Sequence, residues 1–82
     1  MEAFLHGRTA LVTGSTSGIG LAIATALGAA GMRVAISGLG EPEQIDKALE
    51  DITAHGGEAR HFPADLRAPE QIQALLLAVS AW

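Results

Sequence analysis

Glycines and small hydroxyl residues follow one another in the stretch Thr13-Gly14-Ser15-Thr16-Ser17-Gly18-Ile19-Gly20, a pattern that suits phosphate binding. The apolar run Thr9-Ala10-Leu11-Val12 before it predicts a buried strand, and the alanine- and leucine-rich residues after it predict a helix. The first N–H groups of a helix lack partners within the helix, and the helix dipole makes that end positive. A strand that turns through glycines into a helix therefore offers a seat to a phosphate.

Each glycine of this loop has a separate expected role. Gly14 allows a tight turn, Gly18 leaves out a Cβ that would block a pyrophosphate, and Gly20 permits close contact between helix and strand. The three residues between Gly14 and Gly18 are expected to add hydroxyl donors: Ser15, Thr16 and Ser17. The alternative is a glycine-rich turn without a ligand, but the strand, the spacing and the helix together favour the phosphate site.

The spacing also indicates which kind of phosphate loop this is. A P-loop requires Lys and then Ser or Thr after its last glycine, whereas Leu21 and Ala22 follow Gly20. The G-x-G-x-x-G pattern is excluded because Thr16 stands at its second glycine. The remaining pattern, T-G-x-x-x-G-I-G, resembles the cofactor signature of the short-chain dehydrogenases/reductases. Residues 7–21 resemble the D-3-hydroxybutyrate dehydrogenase branch in particular.

Length and composition set bounds on the class of protein. Eighty-two residues make one small domain at most, and a net charge of −4 without a basic cluster argues against nucleic acid and anionic membranes. There is no cysteine, so neither disulfides nor thiolate chemistry are available. The first residues do not read as a signal peptide, and no apolar run reaches the ~18 residues of a membrane span. We expect a cytoplasmic protein.

Apolar periodicity predicts three strands that alternate with three helices. The strands are expected at residues 9–13, 33–37 and 58–62, and the helices at 18–30, at 42–55 and from Pro69 onward. Gly31 is expected to be the left-handed residue that ends the first helix. Five apolar residues are predicted to form the buried stripe of that helix: Ile19, Ile23, Ala26, Leu27 and Ala30.

Right-handed crossovers place the three parallel strands in the order 3-2-1. This is the first βαβαβα half of a doubly wound, Rossmann-like α/β fold with three αβα layers. Residues 1–82 are therefore interpreted as one partial NAD(P)-binding domain, the N-terminal part of a longer family fold.

The turn after the second strand bears on the choice of cofactor. In this fold an acidic residue there binds the adenosine ribose and repels a 2′-phosphate. Alignment with the family puts Leu39 at that position, and residues 15–17 and 38–44 contain neither Arg nor Lys. Ser37-Gly38-Leu39-Gly40-Glu41 resembles the Asn-Gly-Phe-Gly-Asp turn of the hydroxybutyrate dehydrogenases, which use NAD. The resemblance favours NAD over NADP; Glu41 either helps electrostatically or is an ordinary acid in a first helical turn.

Asp65-Leu66 resembles the acidic-aliphatic pair that follows the third strand in the family. The resemblance implies that the Asp65 carboxylate accepts a hydrogen bond from the adenine amino group, with the Leu66 backbone beside it. The alternative is that Asp65 helps to cap the third helix.

The remaining candidates for chemistry are weak. His6, His55 and His61 lack metal-ligand spacing, so no metal is expected, and no nucleophile elbow supports a Ser-His-Asp arrangement. Trp82 is predicted to be a packing residue. The chain has no Tyr, and its one Lys is Lys47, so the Tyr-x-x-x-Lys pair and catalytic Ser of the resembled family are not assigned to any residue here.

The favoured interpretation is the dinucleotide-binding portion of a short-chain oxidoreductase. The resemblance implies hydride transfer between nicotinamide and a secondary alcohol or ketone, with 3-hydroxybutyrate as a candidate substrate. The alternatives are a non-catalytic adenine-nucleotide-binding module and an interaction fragment. The first strand is expected to leave an open apolar edge, which predicts self-association or pairing with a missing C-terminal portion.

Overall fold

The computed structural model of the chain describes residues 5–38 and 40–82. Over these residues, strands and helices alternate along the chain. Their bounds are β1 (Thr9–Thr13), α1 (Gly18–Ala29), β2 (Arg33–Ser37), α2 (Pro42–Thr53), β3 (Glu58–His61) and α3 (Pro69–Ala81). None of these helices is long and apolar enough to cross a membrane.

The strands form one parallel sheet in the order β1-β2-β3. Val34 of β2 lies opposite Ala10 of β1 on one side and Ala59 of β3 on the other. The sequence prediction of an α/β fold with β2 in the middle is confirmed. Because β2 is the central strand, Val34, Ala35 and Ile36 are all fully buried, as expected for a parallel strand covered on both faces.

Each face of the sheet is covered by a different set of helices. On one face, Val34 and Ile36 pack with Ala24 of α1 and with Ala48 and Ile52 of α2. On the other face, α3 supplies the cover. Its core consists of Ala35, Phe62 and Leu75, with Trp82 packed against them. The resulting three layers explain why strand residues of both alternating sets are apolar.

Trp82 is a packing residue, as the sequence predicted. Its ring meets that of Phe62 edge-on, with 5.6 Å between the ring centroids. Arg33, at the start of β2, donates from Nη2 to the Trp82 carbonyl oxygen at 2.7 Å and lies over the indole ring. These contacts tie the end of α3 to the amino-terminal edge of the sheet.

The ends of the elements differ slightly from the prediction. β3 ends at His61, although the N–H of Phe62 still donates to the Ile36 carbonyl at 2.9 Å. α2 ends at Thr53, two residues before the predicted His55. Such differences are ordinary for the frayed ends of helices and strands. Gly31 follows α1 with φ +85°, which confirms the predicted left-handed residue.

The predicted buried stripe of α1 is wrong in part. Ile19 is 81% exposed and Ile23 is 49% exposed, and Ala26 is also exposed, whereas Ala24 and Gly28 are buried. The reason is the closeness of α1 to its neighbours: a Cβ on Gly28 would collide with the carbonyl oxygen of Ile52 in α2. Small residues therefore form the contact face of α1, and hydrophobicity alone does not reveal it.

Candidate functional site

The loop between β1 and α1 has the backbone that its glycines permit. Gly14 and Gly18 both have φ +60°, in the left-handed region that favours glycine. A Cβ on either residue would meet nothing within 4 Å, so both border open space. A Cβ on Gly20, by contrast, would collide with the Gly14 carbonyl oxygen. The loop is thus folded tightly onto the start of α1 and is open on its other side.

The three hydroxyl residues of the loop have different environments. Ser15 is fully buried; its Oγ donates to the Val12 carbonyl at 2.6 Å and its N–H donates to the Ser37 carbonyl at 3.3 Å. Its hydroxyl therefore stabilises the loop, whereas the sequence predicted a donor for a ligand. Thr16 is 6% exposed. Ser17 is exposed and is the N-cap residue of α1, whose first turn includes the exposed Ile19.

The turn between β2 and α2 lies against this loop. The Gln44 side chain of α2 donates from Nε2 to the Thr16 carbonyl at 3.2 Å. His61, the last residue of β3, contacts the same turn: its Nε2 is 3.1 Å from the Gly38 carbonyl oxygen. Glu41 is the exposed N-cap residue of α2. Leu39, the predicted ribose position, lies outside the described residues.

Asp65 follows β3 and is held mainly by Arg67. Asp65 Oδ1 accepts from the Arg67 N–H and Nε, each at 3.0 Å, and Oδ2 accepts from Arg67 Nη2 at 3.1 Å. The Arg67 side chain, and then its N–H, lower the pKa of Asp65 below its usual range, so the group is a carboxylate at neutral pH. Helix α3 has Ala68 as its N-cap residue, so the alternative of Asp65 as the cap does not describe this structure.

One cleft joins these features. It has a volume of about 370 Å³ and lies at the carboxyl ends of the strands, where ligands bind in open α/β sheets. It is lined by Gly14, Gly38, Ala64, Asp65, Leu66 and Arg67. The glycine loop and the Asp65-Leu66 pair, which are far apart in sequence, are therefore brought together.

Four residues near the cleft were missed or misread in the sequence. Arg67 could have been found as a cation two residues after the predicted acid. Gln44 and His61 have no such signal, because their contacts depend on how two loops meet. Ser37 ends β2 and is 1% exposed. Its Oγ has no hydrogen-bond partner among the described residues, which places an unused polar atom beside the loop.

A parallel sheet with a glycine loop after its first strand and a cleft at the strand ends defines half of a dinucleotide-binding fold. A family model described as short chain dehydrogenase matches residues 8–81, and the chain belongs to this family. The chain is 39% identical over 74 residues to the D-beta-hydroxybutyrate dehydrogenase of Rhizobium meliloti (strain 1021). That match covers 89% of this chain and 29% of the relative, so the chain spans less than a third of its length.

Two solved structures show the same fold in complex with different nucleotides. One is an NADH-dependent reductase, A1-R′, complexed with NAD; it is 33% identical, with a TM-score of 0.87 over 96% of this chain and 33% of that one. The other is a metagenomic short-chain oxidoreductase in complex with NADP; it is 39% identical, with a TM-score of 0.86 over 94% of this chain and 34% of that one. The family predicted from residues 13–20 is thereby confirmed.

Metal chemistry has no candidate centre in the region described. Among residues 5–38 and 40–82, no group of three His, Cys, Asp or Glu side chains is placed to hold a metal ion.

Proposed function

We propose that this chain is the dinucleotide-binding portion of an NAD(P)-dependent short-chain oxidoreductase. The observation that carries the proposal is the cleft whose lining includes both Gly14 and Asp65. The residues present fit a dinucleotide: Gly14 and Gly18 border open space, and the start of α1 supplies N–H donors. Asp65 lines the same cleft and supplies an acceptor there.

The proposed orientation of the ligand follows from the charges and donors. The pyrophosphate lies at the start of α1, beside Gly18 and Ile19, because the unpaired helix N–H groups favour an anion. The adenosine ribose lies beside Gly38 at the end of β2; the resemblance to the family assigns the ribose position to Leu39, which is outside the described residues. The adenine lies beside Leu66, with its amino group donating to the Asp65 carboxylate.

The bound nicotinamide would accept or donate a hydride, with a secondary alcohol or ketone as the partner. We propose 3-hydroxybutyrate as a candidate substrate, on the basis of the similarity to the Rhizobium meliloti enzyme. The chain's own residues bind and orient the adenosine and pyrophosphate. We assign no proton-transfer role to its residues, because it contains no Tyr and its only Lys, Lys47, is exposed on α2.

We propose NAD rather than NADP as the preferred cofactor. Residues 15–17 and 38–44 include no Arg or Lys, and Glu41 and Glu43 lie exposed at the start of α2. A 2′-phosphate at the ribose would lack a counter-charge and would lie close to carboxylates.

The test is a pair of calorimetric titrations of the full-length protein with NAD and NADP. We expect NADP to bind about fivefold more weakly or worse, which corresponds to ~1 kcal/mol of charge repulsion. Leu39→Arg should narrow this difference between the two affinities, and Ala54→Arg, which adds the same charge at an exposed site just after α2, should leave it unchanged. Tighter binding of NADP would contradict the preference, and failure of both nucleotides to bind would contradict the proposed function.

We also propose that β1 pairs with a further strand. Among the described residues β1 pairs with β2 alone, so its other edge presents unpaired backbone groups. The partner strand is either a C-terminal continuation or a second copy of the chain.

A further inference from the structure

We propose that Arg67 is a positioning residue that orients the Asp65 carboxylate so that Oδ2 is the atom presented to the adenine amino group. This inference rests on the proposed function and deepens it, because it assigns a residue and an atom to the recognition of the base. The contacts between the two side chains, the exposure of the pair and the place of Arg67 in the cleft carry the argument.

The Asp65 carboxylate is fixed in orientation by three donors from one residue. The Arg67 N–H and Nε both donate to Oδ1 at 3.0 Å, and Nη2 donates to Oδ2 at 3.1 Å. Such a two-pronged contact between guanidinium and carboxylate restricts rotation as well as adding charge attraction. The backbone of Asp65 is fixed too, since its N–H donates to Gln71 Oε1 at 2.7 Å and its carbonyl accepts from the Ala68 N–H at 3.1 Å.

The hydrogen-bonding capacity that remains on the carboxylate is small and localised. An ionised carboxyl group has about four acceptor sites, two on each oxygen. Arg67 occupies both sites on Oδ1 and one on Oδ2. One site is left, on Oδ2, and an amino group that donates a single N–H satisfies it. A carbonyl at the same position of the base would instead face a lone pair.

The pair is too exposed to be important for folding. The Arg67 side chain is 86% exposed and that of Asp65 is 36% exposed, and ion pairs in such surroundings contribute little to stability. Both residues nevertheless line the cleft. Loss of Arg67 should therefore leave the fold intact and change the recognition of the base.

The experiment compares two ligands that differ only at the adenine amino group: NAD and its purine analogue, in which a hydrogen replaces that group and the ring nitrogens are unchanged. Both are titrated by calorimetry into the full-length protein and its variants. We expect Arg67→Met to weaken NAD about three- to tenfold and the analogue less than about twofold, because a hydrogen bond to a charged group is lost for NAD alone. Arg67→Lys keeps the charge but not the two-pronged contact, so its affinity for NAD should lie between those of the unmodified protein and Arg67→Met.

Two further variants serve as controls. Asp65→Asn removes the carboxylate charge and its two-pronged contact with Arg67, so the affinity for NAD should fall and its preference over the analogue should shrink. Lys47→Met removes the same charge from an exposed site on α2 and should leave both affinities unchanged.

The possible failures are distinguishable. If the unmodified protein binds neither ligand, the proposed function itself is wrong. If NAD binds and Arg67→Met keeps the full preference for NAD over the analogue, only the role of Arg67 is overturned. If Arg67→Met weakens both ligands equally, Arg67 acts through its charge on the ligand as a whole, and the positioning role is likewise overturned.

Discussion

At the scale of single residues, the proposed site combines a glycine loop, which we expect to bind through its backbone, with an acid that we expect to bind through its side chain. Gly14 and Gly18 leave space, and Ser15 uses its hydroxyl to hold the loop to β1. Asp65 is the proposed charged acceptor, and Arg67 lowers its pKa and donates to both of its carboxylate oxygens. A loop that acts through its backbone can be predicted from the spacing of its glycines. The Ser15 and Arg67 contacts could not be predicted in this way, because they depend on side-chain directions that spacing does not define.

The Asp65–Arg67 pair predicts a pH effect of definite sign. Because Arg67 lowers the pKa of Asp65 in the folded chain, the pair favours folding above the carboxyl's unfolded pKa, and this contribution is lost as the pH falls through the folded pKa. Arg67→Met should raise the Asp65 pKa toward its ordinary value. A ¹³C NMR titration of the carboxyl carbon measures this directly, with Lys47→Met as the control. An unchanged titration midpoint in Arg67→Met would contradict the pairing.

At the scale of the elements, the strands were more predictable than the helix faces. β1 and β2 begin and end where the sequence predicted, because each is a short apolar run bounded by turn residues; β2 alone is buried almost throughout. The predicted stripe of α1 was wrong at Ile19, Ile23 and Ala26, which are exposed, because α1 approaches its neighbours through other small residues, Ala24 and Gly28. Gln44 and His61 were not predicted either, since each joins segments that only the tertiary fold brings together.

The contact face of α1 can be tested by comparing the same change, Ile to Ala, at a buried position of α2 and at an exposed position of α1. Ile52→Ala in α2 removes a fully buried side chain that packs against Val34 and Ala24, and should cost about 2–5 kcal/mol of unfolding free energy. Ile23→Ala removes a half-exposed side chain and should cost no more than about 1 kcal/mol in the 82-residue chain. Urea unfolding followed by circular dichroism measures both. A larger cost for Ile23→Ala than for Ile52→Ala would show that the predicted stripe was correct after all.

At the scale of the whole molecule, the exposed surface of the chain leads us to expect association with further protein. It spans 29% of the length of its Rhizobium meliloti relative, and several large apolar side chains are exposed. These are Ile19, Ile23, Leu66, Ile72, Leu76 and Leu77. Together with the unpaired edge of β1, they predict association.

We expect the isolated 82-residue chain to form dimers or larger species at micromolar concentration. The reason is that the β1 edge and the exposed apolar side chains lack cover within the described residues. Multi-angle light scattering after size exclusion gives the mass. Thr9→Pro, which removes a backbone donor at the start of the edge strand, should reduce association, and Glu41→Pro, at a residue before α2 whose φ of −69° suits proline, serves as a control for proline itself. A stable monomer at these concentrations would contradict the expectation.

The central claim is that the glycine loop and the Asp65 segment hold one ligand together. Hydrogen–deuterium exchange with and without ADP-ribose, which carries the adenosine and pyrophosphate without the nicotinamide, tests it most directly. We predict slower exchange in peptides covering residues 13–20 and 63–68, and unchanged exchange in a peptide covering residues 45–55 of α2 and the turn beyond it. Protection confined to one of the first two segments, or found in residues 45–55 instead, would contradict the account.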